Sequence, residues 1–280
     1  MAVVIGRRAD NIVRFLCAAM NAIVVLFLLT PIVVTAVMAF DSRDYLGPLP
    51  PPSLSLRWFV TFFSDSYFLN GLSTSLQLAL ASVAVSLCVG IATAYTLGRT
   101  QFAGKDALVS FFLSPLVVPP VVTGFALLLF LSKMGLFNGF ARLLCGHIII
   151  TVPYTIRATL ASIAGIDRSL TEAANILGAK DRNAFWDITF PLARTGIISG
   201  AIFAFAVSLD DVAVSIMLTD ATTYTLPIAL ISSMRANFEL TIAAASLMLM
   251  LMLMLMTLGL IFALDRFVGL NRAIGQGVFR

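Results

Sequence analysis

The sequence predicts an all-α integral membrane protein with six transmembrane helices, and three observations carry that prediction. Of 280 residues, 60% are hydrophobic and only 11% are charged, against about 25% charged in a typical globular domain. A helix needs about 20 apolar residues to span a bilayer, and six such runs occur, near 12–40, 72–98, 107–131, 143–164, 195–218 and 241–264. A β-barrel would instead alternate in polarity over segments of about 10 residues. Sorted loop by loop, 13 Lys and Arg residues fall on one side of these runs and five on the other. The positive-inside rule then puts both termini in the cytoplasm. That topology accounts for the net charge of +4 with no nucleic acid as partner, and makes the lipid bilayer the main surrounding.

The first run follows Arg7, Arg8 and Arg14 but continues to Phe40, far beyond the apolar core of a signal peptide, so it reads as a retained helix. The external segment after it, DSRDYLGPLPPP, is held extended by its prolines. LRWFVTFF then suits a helix at the membrane surface. The third run contains LSPLVVPPVVTG. Prolines inside a helix leave carbonyls that lipid cannot satisfy, so Pro115, Pro119 and Pro120 predict a kink against protein or a wet cavity, with a plain packing kink as the alternative. Thr123 follows on the same span. His147, the single histidine, sits toward the outer end of the fourth span and reads as a hydrogen-bonded structural group rather than a proton relay. The three cysteines lie inside apolar runs without metal-ligand spacing, and no metal site is expected. The LMLMLMLMLM stretch of the last run covers every helix face with flexible apolar groups and reads as lipid-facing.

Between the fourth and fifth runs, residues 165–194 form a cytoplasmic loop too long for a connector and too apolar for a disordered tail. SLTEAANILGA predicts a short helix, with Ser169 and Glu172 at capping-box spacing and Gly178 as a left-handed stop. DRNAFWDITFPL predicts a second short helix, ended or followed by Pro191.

Glu172, Ala173 and Ala174, then Gly178, Ile188 and Pro191, resemble the E-A-A-x(3)-G-x(9)-I-x(2)-P loop of permease subunits of binding-protein-dependent ABC importers. The resemblance implies that 165–194 is a coupling loop whose helix seats in a groove of a cytoplasmic ATPase. It also implies a second homologous permease subunit, two ATPase copies, a periplasmic solute-binding protein and a bacterial inner-membrane location. No Walker motif occurs in the chain, so ATP and Mg belong to the partner ATPase, no cofactor is expected on this chain, and it is not itself an enzyme. FAVSLDDVAVSIMLT, TTYTLPIAL and SPLVVPPVVTGFALLLF are similar to the spermidine and putrescine permease subfamily, over most of residues 12–265. An amine-containing solute, a polyamine first, is what that similarity implies.

The fifth run carries the adjacent acids Asp210 and Asp211. At the centre of a spanning helix each would cost about 2.5 to 3.5 kcal/mol, so the pair calls for a function. On a continuous helix the two point about 100° apart. Steps of three and four from Asp211 meet Ala204, Ser208 and Ser215, a small polar stripe expected to line the translocation path, whereas Asp210 needs a partner from another helix or subunit. Both readings stand here: contact with an amine cation, or a gate contact between subunits. Members of the polyamine subfamily often read Pro-Asp where this chain has Pro119-Pro120. An opine, an amino-acid-like compound or an aminophosphonate therefore fits about as well as a diamine. An autonomous secondary transporter or channel would leave the 165–194 loop unexplained. An intramembrane aspartyl protease needs two carboxylates converging on one water, and these two diverge.

Overall fold

The computed structural model of the protein describes residues 2–236 and 239–277. Among them the helices are α1 (Ala2–Ala39), α2 (Arg57–Ser64), α3 (Ser66–Arg99), α4 (Lys105–Leu113), α5 (Pro120–Lys133), α6 (Gly139–Ala164), α7 (Arg168–Ile176), α8 (Asp181–Ala184), α9 (Phe190–Asp210), α10 (Ser215–Leu218), α11 (Leu226–Ala236) and α12 (Thr241–Gly277). The described residues form no sheet, only one isolated antiparallel bridge between Asp41 and Leu54. Among the described residues, five helical runs are long and apolar enough to cross a membrane, or six if one bent pair forms a span.

The chain divides into two compact units. In the unit made of residues 1–65 and 233–251, Ala39, Trp58, Leu240, Ala244 and Leu247 form a small buried core. Its loop 41–56 is pinned from both ends. The Trp58 indole N–H donates to the Asp41 carbonyl at 2.7 Å, and the Arg43 guanidinium grips the Asp41 carboxylate through Nε and Nη2. Those hydrogen bonds from Arg43 hold the Asp41 carboxyl below the usual carboxylate value. Arg57 stacks over the Trp58 ring at 5.0 Å and pairs with Asp44, so α2 begins on an aromatic and charged anchor.

The second unit, residues 66–232 and 252–280, is built on the mutual packing of α3, α6 and α9. Apolar tails pack no better against protein than against lipid, so helices in a membrane associate through small residues and interhelical hydrogen bonds. The α6 face at steps of four shows this plainly: His147, Thr151, Thr155 and Thr159 are all fully buried. Thr151 meets Ser86 of α3 at 2.6 Å, and Thr155 donates to the Ser86 carbonyl at 2.8 Å. Gly90 is the notch that admits Thr155, since a Cβ there would stand 2.2 Å from its Oγ1. Gly200 of α9 meets the same turn of α6 at the Thr155 Cα.

Two expected spans differ in form. The run 107–131 is not one kinked helix: α4, with a 3₁₀ turn at Ser114–Leu116, and α5 meet at 101°. Pro119 caps α5 with an extended ψ of 128° and Pro120 is its first residue, where a missing N–H costs nothing. The prolines thus start a helix instead of bending one. The run 195–218 is also broken, because α9 ends at Asp210 and Asp211 is extended, with φ −66° and ψ 128°. After three more residues the single turn α10 begins. It drops into two glycine notches, at Gly124 of α5 and Gly146 of α6, where a Cβ would strike Val214, Met217 or Leu218.

Candidate translocation path and coupling surface

The break after Asp210 alters the geometry expected of the acid pair. With the helix ended, Asp210 and Asp211 no longer follow one helical register, and the 100° separation does not apply. Asp211, the residue after α9, holds the start of α10: its carboxylate accepts the Ser215 N–H at 2.8 Å and the Ser215 hydroxyl at 2.9 Å. This is the local preference of Asp for a cap over a helix interior. The Asp210 side chain, at the exposed end of α9, makes no hydrogen bond or ion pair with a described residue. Asp210 is thus the exposed carboxylate, and Asp211 is the half-buried one, engaged with Ser215.

Ser208 and Ser215 do lie together, but in packed protein and not on a wet face, with exposures of 2% and 0%. Between them stands His147, two turns into α6. Its Nδ1 lies 2.8 Å from Ser208 Oγ and its Nε2 lies 3.0 Å from Ser215 Oγ. Ser82 of α3 completes the cluster, 3.1 Å from Ser208. Sequence reasoning made His147 a bonded structural group, which it is, but missed that it joins the serines to Asp211. The signal was present only as polar residues scattered among several on each of the apolar helices, without a means of pairing them. Among the described residues no three His, Cys, Asp or Glu side chains gather as metal ligands.

Pro119, Pro120 and Thr123 stand apart from this cluster, at the α4–α5 bend. Thr123 lines an apolar groove of about 350 Å³ with Ser114, Pro115, Val122, Phe130 and Ile149. Pro119 and Pro120 are exposed on the same turn.

The 165–194 loop folds as an outlying helix and an extension of a span. The N-cap of α7 is Asp167, which accepts the Ser169 N–H at 2.9 Å, and not Ser169. Asp167 stands one residue before the helix, so Ser169 falls inside the first turn and the capping box with Glu172 does not form. Hydrogen bonds from Ser169 hold the Asp167 carboxyl below its ordinary value. Gly178 turns the chain with φ +91°, and Asn175 donates to Asp181 across that turn at 2.9 Å. The second short helix is not separate. α8 passes through a π turn, Phe185–Thr189, directly into α9, with Pro191 in its first turn, and residues 181–210 form one run of 30 residues. Ile188 is half-buried on that turn.

Of the motif residues, Glu172, Ala173 and Gly178 are exposed and Ala174 is half-buried. At the end of α7, Ile176 and Leu177 are 85% and 88% exposed. Two large aliphatic side chains left this bare beside a turn held by Asn175 and Asp181 form a compact apolar tip.

Similarity to known proteins follows the same lines. The chain is 28% identical over 221 residues to the spermidine/putrescine transport system permease protein PotC of Haemophilus influenzae, covering 79% of this chain and 85% of that protein. It is 28% identical over 216 residues to the putrescine transport system permease protein PotI of Escherichia coli, covering 75% and 76%. Sulfate permease 2, chloroplastic, of Chlamydomonas reinhardtii is 30% identical over 74% of this chain and 56% of its own length. The fold matches a chain of a bacterial ABC transporter involved in the import of the acidic polysaccharide alginate, with TM-score 0.66 and 16% identity over 92% of this chain and 97% of that one. Residues 86–270, about two thirds of the sequence, match the family profile described as the binding-protein-dependent transport system inner membrane component. That span holds α4 to α11, the cluster around His147 apart from Ser82, and the whole 165–194 loop, and the chain belongs to that family.

Proposed function

We propose that this chain is one of two homologous transmembrane subunits of an ATP-driven, binding-protein-dependent importer in a bacterial inner membrane, and that its cargo is a small amine-containing solute, spermidine or putrescine first. The observation that carries the coupling role is the bare apolar tip of α7. Ile176 and Leu177 give an ATPase groove two aliphatic knobs on a short helix joined to α9 through α8 and the π turn. Movement of two bound ATPases would carry α7 as a lever, and the 30-residue run beginning at Asp181 would transmit it toward Asp210. The long axis of that run is about 45 Å at 1.5 Å per residue, enough to join the cytoplasmic surface to the far side of a bilayer. In this reading the α4–α5 pair is the third of six spans, both termini are cytoplasmic, and alternating access shifts the populations of inward- and outward-facing states.

The cargo assignment draws on the polyamine-named relatives and on the acid pair. Identity alone does not select a cation, because the sulfate-named relative is as similar. Asp210 does, as an exposed carboxylate at the end of a spanning run that would attract an ammonium and repel a sulfate. Pro119-Pro120, lacking the neighbouring acid frequent in the polyamine subfamily, favours a cargo with fewer positive charges, such as an opine, an amino-acid-like compound or an aminophosphonate, as the second reading. The test is uptake into proteoliposomes holding this chain, its partner permease, the ATPase and the binding protein. Labelled putrescine or spermidine should enter only with internal ATP, and Asp210→Asn should lower uptake about tenfold or more with assembly intact. Entry of no amine at all would end the cationic-cargo reading.

A further inference from the structure

The contacts around His147 have a direction as well as a geometry. Ser82 Oγ, Ser208 Oγ, His147 Nδ1 and Nε2, Ser215 Oγ and Asp211 Oδ2 form an unbroken line of steps of 3.1, 2.8, 3.0 and 2.9 Å. An ionised carboxylate only accepts. Asp211 therefore takes the single hydroxyl proton of Ser215, together with the Ser215 N–H at 2.8 Å. The Ser215 oxygen is left to His147 as an acceptor, so the hydrogen of a neutral ring must sit on Nε2. Nδ1 is then bare and accepts the Ser208 hydroxyl, and the Ser208 oxygen accepts from Ser82, whose proton is shared with the Ala79 carbonyl at 3.1 Å. One carboxylate thus sets the orientation of every group behind it.

The position of this line gives it a role. Ser208 is on the last turn of α9 and Ser215 opens α10, and between them residues 211–214 are not helical. A spanning helix interrupted in this way has lost the backbone hydrogen bonds that would fix one piece against the other. The His147 ring, fully buried on α6, bonds both pieces at once. It stands beside Gly146, whose missing side chain lets Val214 and Leu218 pack against α6. Asp210 closes α9 and Asp211 opens the interrupted segment, so the acid pair sits at the break, flanked by Ser208 and Ser215 and the bonds they make to His147.

We infer that His147 is the positioning residue of the broken fifth span: as the neutral Nε2–H imidazole, oriented by Asp211 through Ser215, it locks α9 to α10 and fixes the direction in which the acid pair is presented. Only the transport arm of the test rests on the importer reading. The tautomer arm stands without it.

His147 is the single histidine of the chain, so ¹⁵N-histidine labelling of the full chain in lipid, purified on a tag free of histidine, reports one ring. The expected spectrum is a protonated Nε2 and a bare Nδ1. Ser208→Ala should preserve that tautomer, because Asp211 and Ser215 still act on Nε2. Ser215→Ala should give a mixture, because Nε2–H has lost its acceptor. An imidazolium or an Nδ1–H ring in the wild type, or a tautomer indifferent to Ser215→Ala, would overturn the inference. In the assembled importer, His147→Phe should lower maximal uptake about tenfold and move the half-saturating concentration less than about twofold. The double variant with Ser215→Ala should be no worse than His147→Phe alone, since members of one unit are not additive. Losses that multiply would mean separate roles and would also overturn it. Absence of amine uptake by the wild type counts against the cargo reading only, and leaves the tautomer result to decide.

Discussion

At the scale of single residues, the tightest fits are made by atoms that are missing. Gly90 meets Thr155 at a distance no side chain tolerates. Gly90→Ala must push α3 from α6 or turn Thr155 out of its bond to Ser86, and should cost about 1–3 kcal/mol, the range for overpacking a filled core. The thermal midpoint of the detergent-solubilised protein reads this loss. Gly165→Ala is the control: its nearest neighbour would be the Ser162 carbonyl at 3.6 Å and its φ is ordinary, so the change should stay within about 0.5 kcal/mol. Such roles are illegible in sequence, because a glycine in an apolar run looks alike whether it faces lipid or a threonine of another helix. The same holds for His147, whose hydrogen-bonded structural role was expected and whose partners, 61 and 68 positions away, were not. Asp211 is the opposite case. Its preference for capping is local, and an acid four positions before Ser215 and a short apolar turn was a readable sign that the fifth run stops and restarts.

At the scale of elements, the external loop and α7 each carry a prediction. Arg43 lowers the folded pKa of Asp41, so the contact stabilises loop 41–56 above the ordinary carboxyl value of 3.8 and is lost as pH falls through the lowered folded value. In a Trp186→Phe background, Trp58 is the single tryptophan. Its emission should stay constant from neutral pH down to about 4 and shift red only in stronger acid, and Arg43→Leu should move that shift toward higher pH. For α7, Ile176→Asp with Leu177→Asp should abolish co-purification of the proposed ATPase partner while leaving the chain in the membrane, because both side chains are exposed and hold no part of the core. Gly178→Val should weaken the same association by a different route, since φ +91° is strained for a branched residue by about 1–2 kcal/mol. The turn at Gly178 was legible because only local backbone chemistry is involved. The prolines of the third run do mark a bend, but Pro120 is equally suited to a kink and to the first position of a helix, and the local sequence does not decide between them.

At the scale of the whole molecule, composition and hydropathy sufficed for the all-helical membrane class, and the motif spacing sufficed for the family. Neither reveals which runs are continuous. α1 and α3, at 38 and 34 residues, are about 57 and 51 Å long, well beyond the thickness of a hydrocarbon core, whereas α4 and α5, at 9 and 14 residues, are each too short to span one alone and meet at 101°. That pair is bounded by Gly104 and Gly135, both left-handed, at φ +89° and +76°, and both with no atom within 4 Å of where a side chain would begin. Open, sharply turning positions of this kind are where chains accept insertions. A short epitope placed after each glycine makes the pair its own surveyor. If it crosses the bilayer, antibody added to sealed inside-out vesicles binds the Gly104 epitope, and the Gly135 epitope is bound only from the opposite face. Binding of both from one face would mean that the pair dips into the membrane and returns, and that the chain crosses five times.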